Sequence, residues 1–135
     1  MNKPTVLIAD DSRTIRIRVR RILLEAGFHV IEADNGMDAV RQIENHVIDV
    51  AIMDIQMPQL DGYGVCQELQ ARGFSPERLP VLFLTSVESN ALEVLGRTMG
   101  DYLKKPIDRD ELLSSVNRLI GQRQGFSPTP PATSR

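Results

Sequence analysis

The apolar patterning of this 135-residue chain predicts an α/β fold, a doubly wound five-stranded parallel sheet with helices on both faces. Three observations carry that expectation. Short runs rich in aliphatic and β-branched residues are apolar throughout rather than alternating, as expected of strands buried on both faces. Between them lie stretches whose apolar residues recur at helical spacing, so strands and helices alternate along the chain. The first and third runs stop abruptly at aspartates, and sheets of this class collect their functional groups at the carboxyl ends of the strands.

The elements follow in order. Thr5-Val6-Leu7-Ile8-Ala9 is the first strand and ends at Asp10-Asp11. Ser12 can cap a helix in which Ile15, Val19, Ile22, Leu23 and Ala26 share a face, with Gly27 as its stop. His29 to Ala33 reads as the second strand, and Gly36 to Asn45 as a helix packed through Ala39, Val40 and Ile43. Asp49 to Asp54 is the third strand. A turn at Pro58 and Gly62 leads to a helix over Gly64 to Ala71. Pro80 precedes a fourth strand, Val81 to Thr85, and a weakly patterned helix is expected over Ser89 to Leu95. Asp101 to Lys104 is the fifth strand. Asp108-Arg109-Asp110-Glu111 looks like a capping box opening a last helix through Leu112, Leu113, Val116, Leu119 and Ile120. Right-handed crossovers then wrap the five units over both faces of the sheet. From Gln122 the composition shifts to a Pro, Ser and Thr-rich stretch, so residues 1–121 are expected to form one domain and 122–135 a flexible tail or linker.

Bulk properties narrow the function. The chain is 41% hydrophobic and 25% charged, which excludes disorder throughout. A formal charge of −2 argues against a protein built to neutralise a nucleic-acid backbone, although five arginines crowd into Arg13 to Arg21. Cys66 is the only cysteine, so no internal disulfide can form and a reducing compartment is expected. No apolar run approaches the roughly 20 residues that span a bilayer, and the N-terminus lacks the features of a signal peptide. The expectation is a cytoplasmic protein without a membrane role.

Read at the strand ends, the chain presents Asp10 and Asp11, then Asp54, then Thr85 and Ser86, then Lys104 and Lys105. Core packing asks for none of these. Three neighbouring carboxylates repel by several kcal/mol at intermediate dielectric, so they hold either protons or a cation. All-oxygen ligation with no suitable His or Cys points to magnesium, Mg²⁺, which takes one or two carboxylates and keeps several waters. Asp11 and Asp54 are the expected direct ligands, Asp10 acts through water, and a backbone carbonyl just past Asp54, that of Gln56, completes the set. Mg²⁺ alone needs no Lys and hydroxyl opposite it. A phosphoryl group in transfer does, because charge spreads over its equatorial oxygens, and Lys105 and Thr85 suit that task. A carboxylate can be the nucleophile, and Asp54, ending the central strand, is the best placed. Any one Asp at a strand end is more often a turn or cap residue, in about four cases of five; the joint occurrence defeats that bland reading.

These motifs, Asp10-Asp11-Ser12, Asp54-Ile55-Gln56-Met57-Pro58 with Asp61-Gly62, Leu84-Thr85, and Tyr102-Leu103-Lys104-Lys105-Pro106, resemble those of response-regulator receiver domains over roughly residues 4 to 121. Order, spacing and strand-end placement all agree. The resemblance implies a flavodoxin-like (βα)5 fold of strand order 2-1-3-4-5. It implies phosphoryl transfer to Asp54 from a sensor histidine kinase or a histidine phosphotransfer protein, with Asp10 and Asp11 binding Mg²⁺ and with Thr85 and Lys105 holding phosphoryl oxygens. It also implies a switch in which Thr85 and Tyr102 move together and repack the face formed by the helix before the fifth strand, that strand and the last helix. Gln56 and Val87 would line the approach of the hydrolytic water, and the Lys105–Pro106 bond is the candidate for a cis peptide. Thr98-Met99-Gly100-Asp101-Tyr102 shortens the approach to the fifth strand, so a truncated or displaced helix is expected before it. Ser86 stands where a small apolar residue or Gly is common.

On a helical wheel Arg13, Arg16, Arg20 and Arg21 flank Ile17 and Leu24, opposite the core stripe. A docking face for the kinase or phosphotransfer partner, carried by Arg13, Ile17, Arg20 and Leu24, competes at even odds with a merely solvated basic face. Cys66 is expected to pack its helix, His29 and His46 to be structural or exposed, and Tyr63 to lie at the surface. Two enzyme-like or cofactor-bearing rivals fare worse. A phosphohydrolase using an aspartyl-phosphate would carry a second Asp where Gln56 stands, and a flavin carrier would need backbone donors where Asp10-Asp11 repel a phosphate. A receiver fold without phosphorylation is disfavoured by the complete residue set. With no DNA-binding or catalytic module after Ile120, output is expected through a downstream protein partner or an output domain beyond the tail, with no direct nucleic-acid contact.

Overall fold

The structure is a computed structural model that describes residues 3–57, 59–75, 77–85 and 100–125. Its sheet has five parallel strands, β1 (Thr5–Ala9), β2 (His29–Ala33), β3 (Val50–Asp54), β4 (Val81–Thr85) and β5 (Gly100–Lys104), in the order β2-β1-β3-β4-β5. Among the described residues four helices accompany it: α1 (Arg13–Glu25), α2 (Gly36–Asn45), α3 (Gly62–Ala71) and α4 (Arg109–Gly125). The doubly wound architecture and the expected strand order are both present, and β1 and β3 lie at the centre, where order reverses. The helix expected over Ser89 to Leu95, the turn residue Pro58, and Ser86 and Val87 lie outside the described residues.

Alternation along the central strands builds two cores. Leu7, Ala9, Ala51, Met53, Val81 and Phe83 face α2 and α3, while Val6, Ile8, Ile52, Leu82 and Leu84 face α1 and α4. All of these are at most 1% exposed, as a sheet covered on both faces requires. The outer strand β2 is less enclosed, with Ala33 alone buried.

Local chemistry sets the helix boundaries. Ser12 Oγ accepts from Ile15 N at 3.3 Å, Asn35 Oδ1 from Asp38 N at 2.8 Å, Asp61 Oδ1 from Gly64 N at 2.8 Å and Asp108 Oδ2 from Glu111 N at 3.0 Å. Each cap satisfies an orphan N–H and is worth about 1 kcal/mol. The Asp61 cap starts α3 two residues before the expected Gly64. Gly27, at φ 94°, closes α1 as expected. At the other end of the chain α4 continues to Gly125, past the compositional shift at Gln122.

Two side chains differ from expectation, and one glycine makes a close approach. Tyr63 is half-buried and packs on the α2–α3 side of the core, its ring 6.5 Å from that of Phe83, because α3 begins early enough to turn it inward. Arg16 is folded back rather than displayed, its side chain only 16% exposed. Gly36 leaves α2 in close contact with the β3–α3 connection: a Cβ there would stand 1.8 Å from the Leu60 carbonyl oxygen. His29 and His46 are exposed, as expected.

Candidate metal and phosphoryl site at the strand ends

The topology brings the sequence-distant carboxylates together. Asp10 follows β1 directly, Asp54 is the last residue of the neighbouring strand β3, and Thr85 ends β4 beside Lys104 in register. Carboxylate oxygens of Asp10, Asp11 and Asp54 all lie within 4.8 Å of one another. Asp10 is fully buried and Asp54 7% exposed, whereas Asp11 opens to solvent.

Each group is held by the fold around it. Asp10 N donates to Ala33 O at 3.2 Å, and Asp10 Oδ1 accepts from Ser12 N at 2.8 Å. Asp54 Oδ1 accepts from Gln56 N at 3.2 Å. Gly62 N donates to Ile55 O at 2.9 Å, and a Cβ on Gly62 would come within 3.0 Å of Asp54 O, so the Asp61-Gly62 pair lets the loop close against the strand end. Lys105 N donates to Thr85 O at 2.8 Å, and from there Lys105 Nζ reaches Asp10 Oδ2 at 3.2 Å and Asp54 Oδ2 at 3.3 Å. The Lys105–Pro106 peptide is cis, as expected.

The electrostatics leave the cluster short of positive charge. Burial, then the Asp10 carboxylate, push the Asp54 carboxyl above its ordinary range, against Lys105 and the Gln56 N–H, which pull it down. For Lys105 burial acts downward, yet Asp10 and Asp54 together outweigh it and raise the ammonium. One ammonium against three carboxylates leaves two negative charges uncompensated. Asp10 Oδ2 is enclosed without a hydrogen bond among the described residues, and the Lys105 ammonium is its one ionic contact there. Oxygen donors, a formal excess of about two negative charges and a buried Asp10 Oδ2 met, among the described residues, only by the Lys105 ammonium fit a hydrated divalent ion such as Mg²⁺.

Thr85 is buried at the end of β4, and Tyr102, on the adjacent strand, is half-buried against the α2–α3 side of the core. On α1, Ile17 and Leu24 are 43% and 46% exposed, beside exposed Arg13 and Arg20. Arg20 Nε also pairs with Glu32 of β2 at 3.4 Å. Arg16, expected on the same open face, instead donates from Nη1 to Asp10 O at 2.6 Å and pairs with Glu32 at 3.5 Å. Sequence reasoning missed this support. Helical spacing reports which way a residue faces, whereas the carbonyl it reaches belongs to a loop positioned by the sheet. Cys66 is buried and its thiol is pushed up to about 12 by burial, an inert packing residue.

Comparison with known proteins agrees with this geometry. The response regulator receiver domain model matches residues 6–117. The response regulator MprA of Mycobacterium sp. (strain KMS) is 38% identical over 117 residues, covering 85% of this chain and 50% of that protein. The chain thus spans about half the length of the curated relatives it matches. Among solved structures, the Francisella response regulator 1452 receiver domain is 31% identical with TM-score 0.80, covering 89% of this chain and 98% of that one. The receiver domain of sensor histidine kinase PA1611 from Pseudomonas aeruginosa PAO1 is 30% identical with TM-score 0.79, covering 89% and 99%, and was solved with a magnesium ion coordinated in its active site cleft. The sheet order, the strand-end carboxylates with their lysine, and these matches establish that the chain belongs to the response regulator receiver domain family of two-component signalling.

Proposed function

We propose that this chain is a phosphorylation switch in which Asp54 accepts a phosphoryl group from a sensor histidine kinase or a histidine phosphotransfer protein. An Asp54 carboxylate oxygen attacks the phosphorus of a phosphohistidine. The new P–O bond forms as the P–N bond breaks, and the imidazole nitrogen leaves with the bonding pair. Asp11 and Asp54 would hold Mg²⁺ directly, Asp10 would act through water, and the Gln56 backbone carbonyl would complete the protein's share. When bound, the ion offsets the charge of the carboxylates and of the incoming phosphoryl oxygens. Lys105 and Thr85 hold those oxygens from the β4–β5 side.

The carrying observation is that Lys105 Nζ lies 3.2 Å from Asp10 and 3.3 Å from Asp54 around an acidic cluster that it cannot neutralise alone. The loaded carboxylate biases a two-state equilibrium through Thr85 and Tyr102, altering the face that includes β5 and α4. Its chemistry is confined to loading and unloading its own Asp54. Arg13, Ile17, Arg20 and Leu24 form the docking face for the phosphoryl donor. Output passes to a downstream protein partner or an output domain, without direct nucleic-acid contact, in the cytoplasm. Among the described residues no helix is long and apolar enough to cross a membrane.

Intact-mass spectrometry after incubation with acetyl phosphate tests the reading. One added phosphoryl group that requires both Mg²⁺ and Asp54, and that is absent from Asp54→Asn, is expected. No adduct under conditions that load another receiver domain would overturn it in favour of a receiver fold used only for protein contacts.

A further inference from the structure

The segment that carries Lys105 is anchored on both sides of that residue. Upstream, Lys105 N donates to Thr85 O at 2.8 Å. Pro106 has no N–H to contribute. The Ile107 side chain is 2% exposed, inside the core shared by α1 and α4, and Asp108 is already committed to capping α4. The Ile107 carbonyl therefore lies between the end of β5 and the start of α4, outside both elements. Arg18 of α1 supplies two. Its Nε and Nη2 both donate to Ile107 O, at 3.2 Å and 2.7 Å, across 89 positions of sequence. Arg18 is itself exposed, and on the helix it stands apart from the face that displays Ile17 and Leu24.

We propose that Arg18 is a positioning residue: by gripping the Ile107 carbonyl with two N–H groups it fixes the Lys105-Pro106-Ile107 segment and sets where the Lys105 ammonium stands between Asp10 and Asp54. The inference rests on the reading of Lys105 as the cation that meets the phosphoryl oxygens. A planar guanidinium suits the task because Nε and Nη2 converge on one acceptor, whereas a lysine ammonium offers a single nitrogen on a freely rotating stem. The Thr85 contact alone holds the segment at one end, and the Arg18 contact holds it two residues beyond the ammonium-bearing residue. A displacement of about 1 Å at a transfer site can cost on the order of 100-fold in rate. Lys105 also opposes any second cation in the acidic cluster, so releasing it has a signature apart from rate.

The experiment compares the full chain with Arg18→Gln, Arg18→Lys, Lys105→Ala and the double variant Arg18→Gln/Lys105→Ala. It measures loading by acetyl phosphate at saturating Mg²⁺ and Mg²⁺ affinity by calorimetry. Expected for Arg18→Gln is loading slowed by about tenfold together with a lowered Mg²⁺ Kd, because the ammonium no longer stands over the carboxylates. Arg18→Lys, which keeps the charge and the stem, is expected to fall between. Both effects should vanish when Arg18→Gln is made in the Lys105→Ala background, as coupled residues require. Loosening of the fold would instead weaken Mg²⁺ binding and loading together, and would persist without Lys105; that result, or wild-type behaviour of Arg18→Gln, overturns the proposal. If the wild-type chain takes no phosphoryl group, the functional reading fails separately, and the Mg²⁺ measurement still decides whether Arg18 positions Lys105.

Discussion

Neutralising the phosphoacceptor should stabilise the metal-free protein and make it indifferent to Mg²⁺. Asp54 is 7% exposed, with the Lys105 ammonium at 3.3 Å and the Asp10 and Asp11 carboxylates within 4.8 Å. At an effective dielectric of about 20 the lysine attracts it by about 5 kcal/mol, and each carboxylate at that distance repels it by about 3.5 kcal/mol. Asp11 is exposed and is screened, so the Coulombic contributions nearly cancel and burial decides the sign. Asp54→Asn keeps an oxygen to accept from Gln56 N. Without Mg²⁺ at pH 7 it should gain about 1–2 kcal/mol, the scale on which a poorly satisfied buried polar group costs stability. The pH dependence follows from the raised Asp54 carboxyl. Its favourable neutral form is fully present below the unfolded value of about 3.8. That stability is lost as pH rises through the folded pKa, so the gap between variant and wild type should open on going from pH 4 to pH 7. Saturating Mg²⁺ then reverses the ranking, since a ligand at 100 times its Kd stabilises its native site by about 2.7 kcal/mol. Urea denaturation in chelator and in Mg²⁺ at the two pH values measures all three signs. A variant less stable than wild type in chelator, or a gap that Mg²⁺ leaves unchanged, refutes the charge accounting.

Two further predictions concern packing. Gly36→Ala should destabilise by about 2 kcal/mol, as overpacking does, because its Cβ would meet the Leu60 carbonyl oxygen at 1.8 Å; helix propensity alone predicts a gain of about 1 kcal/mol, so the direction of the urea midpoint shift separates the two. The buried Cys66 thiol, raised from 9.0 to about 12, should resist thiol reagents at pH 8 until the chain is unfolded. Its contribution is intact below 9.0 and is lost as pH rises toward about 12. Wild type should therefore lose about 1.4 kcal/mol per pH unit relative to Cys66→Ala over that window, and parallel stability profiles would contradict the assignment.

Much of this molecule was legible from one dimension. Strand runs such as Val81 to Thr85 are apolar at every position, and that pattern has few solutions besides a sheet covered on both sides. Caps at Ser12 and Asp108 are local events between a side chain and an N–H three residues away, so the residues themselves announce them. The placement of the candidate residues was legible for a related reason: a strand must end somewhere, and in a parallel sheet the carboxyl ends of the strands lie on one edge. Asp10, Asp54, Thr85 and Lys105 therefore converge by topology, without any pairwise signal.

Tertiary structure decided what depends on side-chain reach across distant elements. Arg16 and Arg18 sit among five closely spaced arginines, and nothing in the sequence names their partners, yet one reaches the Asp10 carbonyl and the other that of Ile107. Their partners are backbone oxygens, which every residue carries. Tyr63 turned inward because the Asp61 cap began α3 two residues early, and Gly36 matters only because Leu60 comes against it from a separate loop. Periodicity in a sequence reports direction relative to an element's own axis; which atom waits at the end of a side chain is set by the packing of elements that the chain brings together only on folding.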